Sequence, residues 1–86
     1  MNGHDQLRAL GERAYAKRLV GGLSTGERQV LRCVVSGMSP RGIAAAKETS
    51  IAQVEEVRLS MMRKLQARTT ADAVRIGLLA EVDRAS

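Results

Sequence analysis

The segment MSPRGIAAAKETSIAQVEEVRLSMMRKL, residues 38–65, contains two helix starts so close together that few arrangements fit. Ser39 is placed to cap a helix whose first residue is Pro40, where the missing amide hydrogen costs nothing. That helix runs to about Lys47. Ser50 then caps a second, longer helix, with Gln53 three residues on as its box partner, so only a tight turn separates the two. A short helix, a tight turn and a longer helix define a helix-turn-helix arrangement.

The flanking sequence adds helices on both sides. In LSTGERQVLRCVVSG, Ser24 and Glu27 have the spacing of a reciprocal cap. Val30, Leu31, Val34 and Val35 form one apolar face, and Gly37 can take the left-handed conformation that closes the helix. A last helix is expected to start at Thr69, with Asp72 three positions later, and to continue through AVRIGLLAEV with Val74, Leu78 and Val82 toward the core. Ala73, Gly77 and Ala80 form a row of small residues beside that stripe, suited either to a dimer seam, with Ile76, or to a close neighbour within the chain. Residues 5–19 place Leu7, Leu10 and Ala14 at helical spacing, read as a first helix or a solvated arm, with a hinge at Gly21 and Gly22. Residues 1–22 therefore form an arm and hinge, and 23–86 the main domain.

Composition agrees with an all-α fold. Phe and Trp are absent and Tyr15 is the only aromatic residue, leaving Ala, Leu, Val, Ile and Met to build the core. At 86 residues that core is small, so a second copy or a partner would add stability. A single cysteine, Cys33, allows no internal disulfide and points to a reducing, cytoplasmic setting. With His4 the sole histidine there is no Cys/His metal set, no cofactor motif and no activated nucleophile, so no enzyme is expected. No apolar stretch is long enough to span a bilayer. Met1 and the polar ending DRAS are read as those of a whole small protein.

The formal net charge of +5 favours a polyanionic partner. Residues 1–22, 23–50 and 51–68 each carry +2 and residues 69–86 carry −1, which removes the last helix as the anion-facing surface. On the helix from Ile51 to Leu65, a spacing of about 100° per residue puts Val54, Val57, Met61 and Leu65 in one stripe. Glu55, Glu56, Leu59, Ser60 and Arg63 face away. In a helix-turn-helix this outer face enters the major groove, where a glutamate can accept from cytosine N4 but is repelled by phosphate. Cations for the backbone are available at Arg41, Arg58, Arg63, Lys64 and Arg68, and Gln53 can bond a phosphate or a base edge. Thr25 completes the candidate set. Glu55 can also pair with Arg58 at i, i+3 as an ordinary surface contact.

Residues 23–74 resemble the LuxR-type (GerE-like) helix-turn-helix domain. The likeness lies in LSTGERQVL, in GMSPRGIA, in Ser50 and Val54, in RKL at 63–65 and in ADAV at 71–74. What it implies is a four-helix DNA-binding domain, here with an extra N-terminal helix or arm. Its helix from Ile51 to Leu65 would lie in the major groove of double-stranded DNA, and its last helix would form a homodimer.

The chain departs from the family pattern at Gly26, Lys47, Glu48, Gln53, Glu55 and Val57, where the family usually has arginine, leucine, glycine, threonine, lysine and histidine. Family base contacts come largely from positions matching Glu55, Glu56 and Leu59, none of them basic here. Two functions follow. One is a DNA-binding transcriptional regulator acting as a dimer, without a receiver or ligand-sensing domain. The other is a module turned to protein interaction, an anti-activator or co-regulator with another transcription regulator or RNA polymerase as partner, favoured by the acids, by outward Leu59 and by nearby Met62. A weaker resemblance is to region 4 of sigma factors, which recognises promoter DNA and also binds other proteins.

Overall fold

The computed structural model describes residues 3–82, with side chains from residue 11 onward. Five helices follow in order: α1 (Gly3–Gly21), α2 (Thr25–Val35), α3 (Pro40–Ala46), α4 (Ile51–Leu65) and α5 (Thr70–Leu79). There is no strand among the described residues. All four caps expected from sequence are formed: the side chains of Ser24, Ser39, Ser50 and Thr69 accept from the amides of Glu27, Gly42, Gln53 and Asp72. Such a cap contributes about 1 kcal/mol. Only Ser24 and Glu27 form the reciprocal box.

Helix α2 lies at the centre. It packs on α4 and α5, α3 packs on α4, and α1 covers α5 and part of α4. Val30, Leu31, Ile43, Val54, Met61, Leu65 and Val82 are sealed from solvent, and each large side chain so buried contributes about 2 kcal/mol. The helix-turn-helix is held from behind by this core. The outer face of α4 is left free.

The closures of the helices decide the turn geometry. After α2, the Gly37 amide donates to the Val34 carbonyl and the Met38 amide to the Cys33 carbonyl, with Gly37 at φ 90. After α3 the same pair of bonds runs from Glu48 to Ala45 and from Thr49 to Ala44, but here the left-handed residue is Glu48, at φ 55. A side chain is being held where glycine is preferred. Lys47 stays at the surface and donates to Gln29 Oε1, so its ammonium is not drawn into the core.

Two sequence expectations for α5 are corrected by the structure. Helix α5 stops at Leu79 rather than Val82, and Glu81 adopts φ 57 so that Val82 folds back into the core. Its inward face is also the other one: Ala73 and Gly77 are buried, Val74 is half-buried and Leu78 is 53% exposed. A Cβ on Gly77 would come within 2.7 Å of Val35 Cγ2 and 3.2 Å of Val82 Cγ1, so close approach of α2 requires glycine. The small residues therefore serve an intramolecular neighbour.

Helix α1 presents Ala16, Leu19 and Val20 to the core, whereas Ala14 is exposed, about 200° around the helix from Ala16. Leu7 and Leu10 lie outside the described side chains. Gly22 and Leu23 are tied to the end of α1 by amide bonds to Leu19 and Val20, so the expected hinge is an ordered turn. Tyr15 donates to Gln66 Oε1 at 3.0 Å, and Arg75 lies 3.5 Å from Glu12.

Candidate nucleic-acid interface

Helix α4 is fixed on one side by Val54, Met61, Met62 and Leu65, with Val57 half-buried beside them. Met62 is 9% exposed, so it is a core residue and not an outward contact. The opposite side carries a line of exposed side chains at spacings of four, three and four residues: Ala52, Glu56, Leu59 and Arg63. Leu59 is 53% exposed. Gln53 flanks the line on one side and Glu55 on the other.

The two adjacent acids are not equivalent. Glu55 accepts from Arg58 Nε at 3.3 Å, the i, i+3 pair anticipated from spacing, and that pair cancels one charge of each sign. Glu56 is exposed and makes no ion pair among the described residues.

Ser60 and Lys64 turn away from the expected roles. The hydroxyl of Ser60 donates to Glu27 Oε2, and Lys64 Nζ donates to Glu27 Oε1 at 2.8 Å. Glu27, 5% exposed, also accepts from the Ser24 amide at 2.7 Å. The Lys64 ammonium, the Ser60 hydroxyl and the Ser24 donors outweigh the cost of burial and hold the Glu27 carboxyl down to about 2 from its ordinary 4.5. A capping residue thus also bolts α2 to α4. In sequence, Glu27 shows only its local partner, because Ser60 and Lys64 lie on a helix whose orientation is set elsewhere. Their i, i+4 spacing on one edge of α4 was the available signal.

The remaining candidates are spread around α4. Arg58, Leu59, Arg63, Arg68, Thr69 and Thr70 line a cleft between α4 and the start of α5. Arg63 and Arg68 are exposed and without a carboxylate partner among the described residues. A second cleft, between the start of α2 and the first turns of α4, is lined by Ser24, Gly26, Gln53, Glu56 and Val57, with exposed Thr25 next to it in the chain. Arg41 is exposed in the first turn of α3. Arginines therefore border one side of the exposed line and short polar groups border the other.

The proposed dimer row is displaced by the packing of α5. Ala73 and Gly77 are inside the protomer, and Ile76 and Ala80 are half-buried against the core, so these four do not form an open seam. What α5 exposes instead is a groove lined by Arg13, Val74, Arg75, Leu78, Leu79 and Glu81. Among the described residues no helix is long and apolar enough to cross a membrane.

Comparison with known proteins converges on the same region. A family profile described as bacterial regulatory proteins, luxR family, matches residues 22–76. The Transcriptional regulatory protein FixJ of Azorhizobium caulinodans is 37% identical over 78 residues, which cover 91% of this chain and 37% of that protein. The chain thus spans little more than a third of the length of that curated relative. No solved structure matches. The family match ends within α5 and leaves out α1 entirely, whereas the FixJ similarity extends over nearly the whole chain.

Proposed function

The chain belongs to the luxR family of bacterial regulatory proteins, and from that premise we propose that it binds double-stranded DNA in the bacterial cytoplasm and regulates transcription. Helix α4 enters the major groove with Ala52, Glu56 and Leu59 toward the base edges. Arg63 and Arg68 at its far end, with Arg41 on α3 and Thr25 on α2, bond the phosphate backbone. Arg58 and Lys64 contribute less, because each already has a carboxylate partner. The observation that carries this reading is the cationic border of Arg63 and Arg68, without a carboxylate partner among the described residues, beside the solvent-facing line of a helix held rigidly from behind.

The protein acts as a homodimer, joined through the outer face of α5 at Val74 and Leu78. Leu78 is the large apolar side chain of α5 left open in the protomer, and it lies in the groove between α1 and α5. FixJ is by its name a transcriptional regulator, which supports the same role for this chain.

Fluorescence anisotropy with labelled duplexes over a salt series tests the reading. Affinity is expected to fall steeply as salt rises, because each phosphate neutralised releases counterions. Failure to bind any duplex at low salt would refute it. Use of the same face for a protein partner draws support from exposed Leu59. That second reading requires a Leu59→Ala change to weaken a protein complex while leaving duplex binding untouched.

A further inference from the structure

The acid on the exposed line of α4 has a chemistry that selects among bases. In the major groove thymine presents an acceptor and a methyl group, guanine two acceptors, adenine a donor beside an acceptor, and cytosine a donor with no acceptor of its own beside it. A carboxylate accepts and cannot donate. It is therefore repelled by the exposed edges of guanine and thymine. Adenine N6 is flanked by its own N7 and by O4 of the paired thymine, whereas cytosine N4 has only the paired guanine O6 next to it.

Position decides which carboxylate is free to act. Glu55 lies to the side and is engaged by Arg58 at 3.3 Å, while Glu56 is exposed, unpaired among the described residues and on the centre line. Leu59 follows three residues later, a rise of about 4.5 Å along the helix, against about 3.4 Å between base pairs. Its apolar tip, 53% exposed, suits a thymine methyl group and not a phosphate. Ala52, one turn before Glu56, is small enough to let the helix start approach the bases closely. Arg63, one turn beyond Leu59, reaches the backbone at the far end.

From this geometry we infer that Glu56 and Leu59 form a reading pair that selects a cytosine next to a thymine in each bound half-site. The inference rests on the reading that α4 docks in the major groove of duplex DNA. The acid is thus a specificity element, and its cost in phosphate repulsion is offset by the neighbouring Arg63 and Arg68.

The test is selection from a library of short duplexes with a randomised centre, carried out on the full chain and on Glu56→Gln, Glu56→Ala and Leu59→Ala. Both positions are at the surface, and circular dichroism checks that each variant is folded. The native protein should enrich one fixed C·G pair, preferred roughly tenfold over the other pairs. Glu56→Ala should lose that preference, and Glu56→Gln should shift it to adenine, whose N6 and N7 match a side-chain amide. Replacing the neighbouring thymine by deoxyuridine, which lacks the methyl group, should weaken the native protein several-fold and leave Leu59→Ala unaffected.

Two results overturn the inference while leaving duplex binding intact. One is the same selected motif for the native protein and both Glu56 variants. The other is uniformly tighter binding of Glu56→Ala to every duplex, which would reduce the acid to a repulsive charge. Enrichment of no duplex by the native protein would remove the DNA-binding reading itself, and the reading pair with it.

Discussion

Replacing Glu27 by glutamine should destabilise the protein in a way that depends on pH with a defined sign. The native carboxylate accepts from the Ser24 amide at 2.7 Å, from Lys64 Nζ at 2.8 Å and from the Ser60 hydroxyl, and is almost wholly buried. Its carboxyl titrates at about 2 in the folded chain against 4.5 when unperturbed. At about 1.4 kcal/mol for each tenfold change in proton affinity, that difference corresponds to about 3 kcal/mol. The Lys64 side chain is 46% exposed, so solvent screens its part of the attraction, and about 2 kcal/mol is the expected net contribution.

Glutamine keeps one acceptor for the Ser24 amide but offers Lys64 no charge. Because the folded state holds the carboxyl below its unfolded value, the stabilisation is fully present above pH 4.5 and is lost as pH falls toward 2. Urea unfolding followed by circular dichroism at pH 7, 4.5, 3 and 2 reads this directly. The native protein should exceed Glu27→Gln by about 2 kcal/mol at pH 7, equivalent to a thermal midpoint shift of roughly 10 °C for a domain of this size. The gap should narrow toward zero at pH 2. A gap that stays constant from pH 7 to pH 2 would refute the electrostatic origin, and no gap at pH 7 would refute the bolt altogether.

Three further outcomes are expected. Gly77→Ala should cost about 1–2 kcal/mol in the same unfolding assay despite alanine's higher helix propensity, because its Cβ meets Val35 and Val82; a net gain would mean that α5 does not pack on α2 as described. Glu48→Gly should stabilise by about 0.5–1 kcal/mol, since glycine adopts the left-handed turn after α3 without strain, and a loss would assign the Glu48 side chain a role of its own. In DNA titrations Arg63→Ala should lower the slope of log affinity against log salt by about 1 and Lys64→Ala by less, because Glu27 already engages the lysine; equal slopes would contradict that difference.

The residues that stop and start helices were legible because their chemistry is local. Ser24, Ser39, Ser50 and Thr69 each satisfy an amide three residues away, and no other part of the chain has to be in place for that bond to be favourable. The inward stripe of α4 was legible for a similar reason, since Val54, Met61 and Leu65 fall on one face whatever the neighbour is. Met62 was misplaced because α4 has neighbours on more than one side. Its buried arc is therefore wider than a single stripe.

Sequence by itself determined the all-α class, the helix-turn-helix spacing, the candidate recognition helix and the family. Those depend on contacts within a few residues and on hydrophobic period. Only the tertiary structure decided that α5 turns its glycine rather than its leucine inward, that Ala16 and not Ala14 anchors α1, and that the two adjacent acids of α4 differ. It also decided that Glu27 withdraws Ser60 and Lys64 from the outer face. Each of these is a choice between faces of a helix that are similar in composition. Such a choice is settled by how closely the partner helix can approach and by which charges it brings, and neither quantity is present in a linear chain.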